Sequence, residues 1–126
     1  MIKKLAVVFG VILLVVGVLG FVPALAPDGK LLSLFLVDPL HNIVHLVTGA
    51  LGLYAGMASS KTAKMYFQIF GVVYALVAVL GFMVGDGKIL GVLVVNAFDN
   101  YLHVLIAVVA LYAGFAIQEE VEEEVV

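Results

Sequence analysis

The sequence predicts an all-α fold: a transmembrane four-helix bundle built from two tandem helical hairpins. Three observations predict it. The 126 residues are 65% hydrophobic and only 12% charged, with mean hydropathy +1.28, whereas a soluble domain is about half apolar and about a quarter charged. Four apolar segments approach the roughly 20 residues that a membrane-spanning helix needs. And the second half of the chain restates the first.

The spans fall at Leu5–Phe21, Pro39–Met57, Met65–Val84 and Ala97–Ile117. Loops around Pro23–Lys30, Ala58–Lys64 and Gly85–Lys88 collect the Gly, Pro, Ser, Asp and Lys. The apolar stretches Leu31–Val37 and Ile89–Val95 are too short to cross a bilayer; they are expected to be short interfacial helices or lead-ins packed on the bundle. One domain is expected over residues 1–118, followed by an acidic cytoplasmic tail, 119–126.

Orientation follows from lysine. Lys3 and Lys4 precede the first span and Lys61 and Lys64 lie between the second and third, against single lysines, Lys30 and Lys88, in the other two loops. The lysine-rich side is cytoplasmic by the positive-inside rule, so both termini are expected inside a cell membrane crossed four times. The beginning of the chain, with lysines, an apolar run and Ala24-Leu25-Ala26, resembles a cleavable signal peptide. Its apolar run is long for one and recurs later in the chain, so it reads as a retained helix.

At an offset of 58 residues, Asp28-Gly29-Lys30 falls on Asp86-Gly87-Lys88, Asn42 on Asn100, His45 on His103, and Leu53-Tyr54-Ala55-Gly56 on Leu111-Tyr112-Ala113-Gly114. At 61, Phe9-Gly10-Val11 falls on Phe70-Gly71-Val72 and Leu19-Gly20-Phe21 on Leu80-Gly81-Phe82. Two hairpin copies, about 5–57 and 65–117, share an orientation and are expected to be related by a pseudo-two-fold axis along the membrane normal.

The duplicated motif carries the candidate chemistry. It reads Asp38-Pro39-Leu40-His41-Asn42-Ile43-Val44-His45 in the first copy and Asn96-Ala97-Phe98-Asp99-Asn100-Tyr101-Leu102-His103 in the second. Asp38 and Asn96 are favoured helix N-caps, and Pro39 suits the first helical position. His41 and His45, like Asp99 and His103, are four apart and share a helix face. His45 and His103 lie about 10 Å inside their helix starts, where ionisable groups are costly and usually face a partner. His41, His45, Asp99 and His103 thus form a candidate metal set of three nitrogens and one oxygen, suited to a divalent ion such as zinc, iron, manganese or copper, with Asn42 and Asn100 supporting the ligands. Three other readings stand beside it. Asp99 completes a capping box; the histidines hydrogen-bond across helices and only fix the fold; or His45 and His103 are opposed axial ligands of haem.

The glycines, Gly10, Gly17, Gly20, Gly49, Gly52 and Gly56, suit close helix approach within the bundle or in a homo-oligomer. Tyr54 and Tyr112 suit an interfacial belt. Without arginine or a lysine cluster, a nucleic-acid partner is not expected; the partner is the lipid bilayer. With no cysteine, thiolate sites and disulfides are excluded. No nucleotide loop or nucleophile elbow is present, so a binding or structural role is expected before an enzymatic one, and four spans offer little transport pathway. The stretch Asp38-Pro-Leu-His-Asn-Ile-Val-His-Leu-Val-Thr-Gly49, with Asn96-Ala-Phe-Asp-Asn-Tyr-Leu-His103, resembles the small prokaryotic four-helix membrane proteins grouped as domain of unknown function 4383. That resemblance implies four spans, marks His41, Asn42, His45, Asp99, Asn100 and His103 as signature positions, and implies no activity.

Overall fold

A computed structural model describes residues 1–118; the expected acidic tail lies outside the described residues. Four α-helices, α1 (Ile2–Leu19), α2 (Pro39–Ala58), α3 (Ser60–Val84) and α4 (Ala97–Phe115), alternate with two small hairpins among those residues. α1 packs chiefly on α2 and α3 chiefly on α4, with α2 and α3 in contact over a shorter stretch. α1, α3 and α4 are long and apolar enough to cross a membrane, with mean hydropathies of 2.5, 2.3 and 1.5. α2 has 20 residues, about 30 Å at 1.5 Å per residue, but carries His41, Asn42, His45 and Thr48. All four are buried, while its exposed large side chains are Leu40, Ile43, Val47, Leu51 and Met57, with Tyr54 toward its end.

Much of the bundle follows that pattern, with many large apolar side chains outside and small or polar ones inside, around a few large buried ones such as Leu13 and Phe67. Val8, Ile12, Val15, Ile69, Leu76, Val79, Leu105 and Val108 are exposed, whereas Ala6, Ala78, Ala107, Ala110 and Ala113 are buried. Small interior residues let backbones meet. A Cβ on Gly10 would stand 2.6 Å from the Gly49 carbonyl oxygen, and one on Gly49 would stand 2.6 Å from the Leu14 nitrogen, closer than any side chain tolerates. Between α3 and α4, the Gln68 side-chain amide donates to the Gly114 carbonyl at 2.9 Å. One apolar layer gathers Ile2, Ala6, Ala55, Ala63, Tyr66, Phe67, Ala110 and Ala113, and another gathers Leu13, Tyr74, Ile106 and Ala107.

Two expectations need correction. The stretches before α2 and α4 are neither helices nor simple lead-ins. They are antiparallel hairpins: β1 (Lys30–Leu31) pairs with β2 (Phe35–Leu36), and β3 (Gly87–Ile89) pairs with β4 (Leu93–Val95). Each turn places two successive residues in the left-handed region, Leu32 and Ser33 in the first, Leu90 and Gly91 in the second, which reverses the chain in three residues. The expected loop 58–64 also shrinks to one residue. Ser59 is extended and its hydroxyl accepts from the Thr62 amide at 3.0 Å, so α3 starts at once and Lys61 and Lys64 lie in its first turns. The Ser-Ser-Lys-Thr composition that suggests a loop serves as a helix cap.

The hairpins pack over the end of the bundle from which α2 and α4 begin. β2 contacts α4, and β4 contacts α2. The Asn96 side-chain amide donates to the Leu34 carbonyl at 2.8 Å, and the Phe35 and Phe98 rings meet edge to face at 6.4 Å. Leu31, Ile89 and Val95 of these strands, and Val37 just after β2, are buried.

Candidate metal centre

Both helices that carry the site start from strong caps. The Asp38 carboxylate accepts from the His41 amide at 2.8 Å, and Pro39 follows it at the first helical position. In α4 the cap is reciprocal. Asn96 Oδ1 accepts from the Asp99 amide at 3.0 Å, and Asp99 Oδ2 accepts from the Asn96 amide at 2.9 Å. These caps fix the first turns, and with them the direction of the side chains at the third and seventh helical positions.

His41, His45 and His103 converge beneath the caps. Their ring centroids are 4.7 Å apart for His41–His45, 5.6 Å for His41–His103 and 6.2 Å for His45–His103. One ring nitrogen from each lies within 4.8 Å of the others. Exposure is 1% for His41, 3% for His45 and 1% for His103. Both nitrogens of His41, both of His45 and Nδ1 of His103 have no hydrogen-bond partner. The Leu36 and Val94 carbonyls flank His41 without a hydrogen bond of good geometry to it. A buried polar atom left unpaired costs about 1–3 kcal/mol, and five lie in one place.

The other sequence-picked residues are buried nearby but differently engaged. Asp99, 1% exposed, spends its carboxylate on the α4 cap and is not among the side chains that converge on a common point. Asn42 and Asn100 lie on glycines of the partner helix. A Cβ on Gly20 would fall on the Asn42 amide, and one on Gly81 on the Asn100 amide oxygen. The amides thus fill space left by missing side chains where α1 meets α2 and α3 meets α4.

Sequence reasoning missed three polar residues below the imidazoles. The Tyr74 hydroxyl donates to Thr48 Oγ1 at 3.2 Å, the Tyr66 hydroxyl donates to the Thr48 carbonyl at 2.8 Å, and Thr48 Oγ1 donates to the Val44 carbonyl at 2.8 Å. The Tyr74 ring lies 5.7 Å from that of His103. A signal was available. Thr48 follows His41 by seven residues and His45 by three on one helix face. At the 61-residue offset Tyr66 and Tyr74 fall opposite Leu5 and Leu13, so polarity appears where the two halves differ.

Fold and site together define a class: a small helical protein with membrane-length apolar helices and a buried histidine cluster able to hold a metal. Residues 3–116 match the family described as Domain of unknown function (DUF4383). The match covers nearly the whole chain, and the protein belongs to that family. No curated protein and no solved structure matches it.

Proposed function

We propose that this chain is a four-span membrane protein that binds one transition-metal ion through His41, His45 and His103 near the outer surface, and that it binds rather than catalyses. The observation that carries this reading is the convergence of three buried imidazoles, five of whose six nitrogens lack a hydrogen-bond partner. Histidine kept only to brace helices would spend its nitrogens on carbonyls or hydroxyls across the interface. Neutral imidazole is a common ligand for such ions.

Within this reading α2 also crosses the bilayer, its polar face turned to the bundle and its apolar face to lipid. The lysine-rich end lies in the cytoplasm and the hairpins outside. The two hairpin pairs are copies about an axis along the membrane normal. Matching features support that relation: equal strand registers, Lys30 to Leu36 and Lys88 to Val94, and the equivalent packing of Asn42 on Gly20 and Asn100 on Gly81. Asp99 acts as cap and nearby counter-charge, not as ligand.

A second reading, that the polar cluster only stabilises the bundle, draws support from Asp99, Asn42 and Asn100, all engaged in caps or packing. Haem draws none. The His41 ring lies against both His45 and His103, where a macrocycle between two axial ligands would have to pass.

Elemental analysis of protein purified without chelator separates the readings. About one metal per chain is expected in the wild type and none in His45→Ala, His103→Ala, with melting curves confirming that the variant folds. Metal-free wild type, or equal metal in the variant, would overturn the binding role.

A further inference from the structure

We infer that the ion this site selects is monovalent copper, Cu(I), in preference to a divalent ion. The inference rests on the metal-binding reading above and goes on to name the ion.

The three converging ligands are neutral imidazoles, and the chain has no cysteine to supply a thiolate. The carboxylates nearest in sequence are committed elsewhere. Asp38 accepts from the His41 backbone amide, and Asp99 from the Asn96 backbone amide. The Tyr74 phenol, beside His103, donates its proton to Thr48. A bound ion would therefore meet only neutral atoms in its ligand shell, where each histidine is at least 97% buried, and Asp38 and Asp99 would offset its charge only from beyond that shell.

The cost of moving an ion from water into a medium of low dielectric grows with the square of its charge, so a divalent ion pays about four times as much as a monovalent ion of similar size. The backbone adds to this. α2 and α4 both begin at the site, and helix N-termini carry positive potential, which opposes a double charge twice as strongly as a single one.

Coordination number points the same way. Zinc held by three histidines takes a water as its fourth ligand, and a site this buried would have to enclose that water. Here three side chains converge, and among the described residues no fourth histidine or carboxylate joins them. Cuprous ion has a filled d shell and accepts three ligands in a plane. Three nitrogens around one ion at about 2.0 Å lie about 3.5 Å apart, so the observed spread, within 4.8 Å, needs only side-chain rotation to close.

The test sets two ions in competition for the stripped, detergent-solubilised full chain. Cu(I) is titrated against a chromophoric cuprous chelator, and Zn(II) against a chromophoric zinc indicator. One Cu(I) per chain is expected, silent in electron paramagnetic resonance and not displaced by equimolar Zn(II). Displacement by Zn(II), or copper held as paramagnetic Cu(II), would overturn the inference while leaving the metal site intact. If the wild type binds neither ion, the metal-binding reading falls with it. The variant His41→Glu adds a carboxylate in place of an imidazole. Its preference for Cu(I) over Zn(II) is expected to fall about tenfold or more, equivalent to about 1.4 kcal/mol. An unchanged preference in a variant with a normal melting curve would contradict the charge argument. Should His41→Glu not fold, the wild-type competition decides alone.

Discussion

The side-chain amide of Asn42 occupies the space that a Cβ would take at Gly20, so a polar side chain of α2 is seated on the backbone at the end of α1. Asn100 and Gly81 make the equivalent contact between α4 and α3. Each Asn follows a histidine or aspartate of the motif by one residue, so this seating sets how far α2 and α4 rotate, and with that where His41, His45 and His103 point.

Gly20→Ala or Gly81→Ala is expected to destabilise the bundle by about 1–3 kcal/mol, the usual cost of overfilling a packed interior. Melting of the purified protein in detergent measures it. In Gly20→Ala, Asn42→Ala the new methyl gains the space left by the amide, so the double variant should be more stable than the sum of the single effects. Strict additivity would show that the two residues do not press on each other.

Asp99 offers the clearest separation of cap from ligand. Asp99→Asn keeps an oxygen that accepts from the Asn96 amide and should fold with its metal content unchanged. Asp99→Ala should lose about 1 kcal/mol through the missing cap and still carry metal. Loss of metal in a well-folded Asp99→Asn variant would return Asp99 to the ligand set.

How much of this was legible in the sequence differs by residue. The four helices follow from apolar length, and the caps of α2 and α4 from Asp38-Pro39 and Asn96. The i,i+4 spacing singles out His41, His45 and His103, but spacing does not say whether Asp99 faces an ion or its own helix end, because that turns on one side-chain rotation. The hairpins were illegible for a different reason. Strands of two or three residues are too short to display an alternation, and Leu32 and Leu90 at positive φ are not turn residues by type. Thr48, Tyr66 and Tyr74 stayed hidden because their importance depends on which face of α3 meets α2. Hydropathy alone does not give that in a helix that is apolar nearly all round.

The Thr48 contacts can be weighed directly. Thr48→Val keeps shape but removes the oxygen that Tyr74 donates to, leaving a buried phenol unpaired. A loss of about 1 kcal/mol is expected, the scale of interhelical hydrogen bonds in membrane proteins. Tyr74→Phe added to Thr48→Val should then cost little more, and a full second loss would mean that the two hydroxyls act independently.

The absence of native cysteine makes the proposed topology easy to probe. Ser33→Cys or Gly91→Cys, in the hairpin turns, should react with a membrane-impermeant maleimide on intact cells. Lys61→Cys, at the start of α3, should react only after lysis. The reverse pattern would invert the orientation.

The central claim is that three imidazoles share one ion, and X-ray absorption fine structure at the edge of the bound metal tests it most directly. The expected spectrum has a shell of nitrogen neighbours with the outer-shell scattering of three imidazoles, falling to two in a folded His41→Ala variant that still carries metal. An oxygen-dominated shell, or an imidazole count that His41→Ala leaves unchanged, would contradict the account.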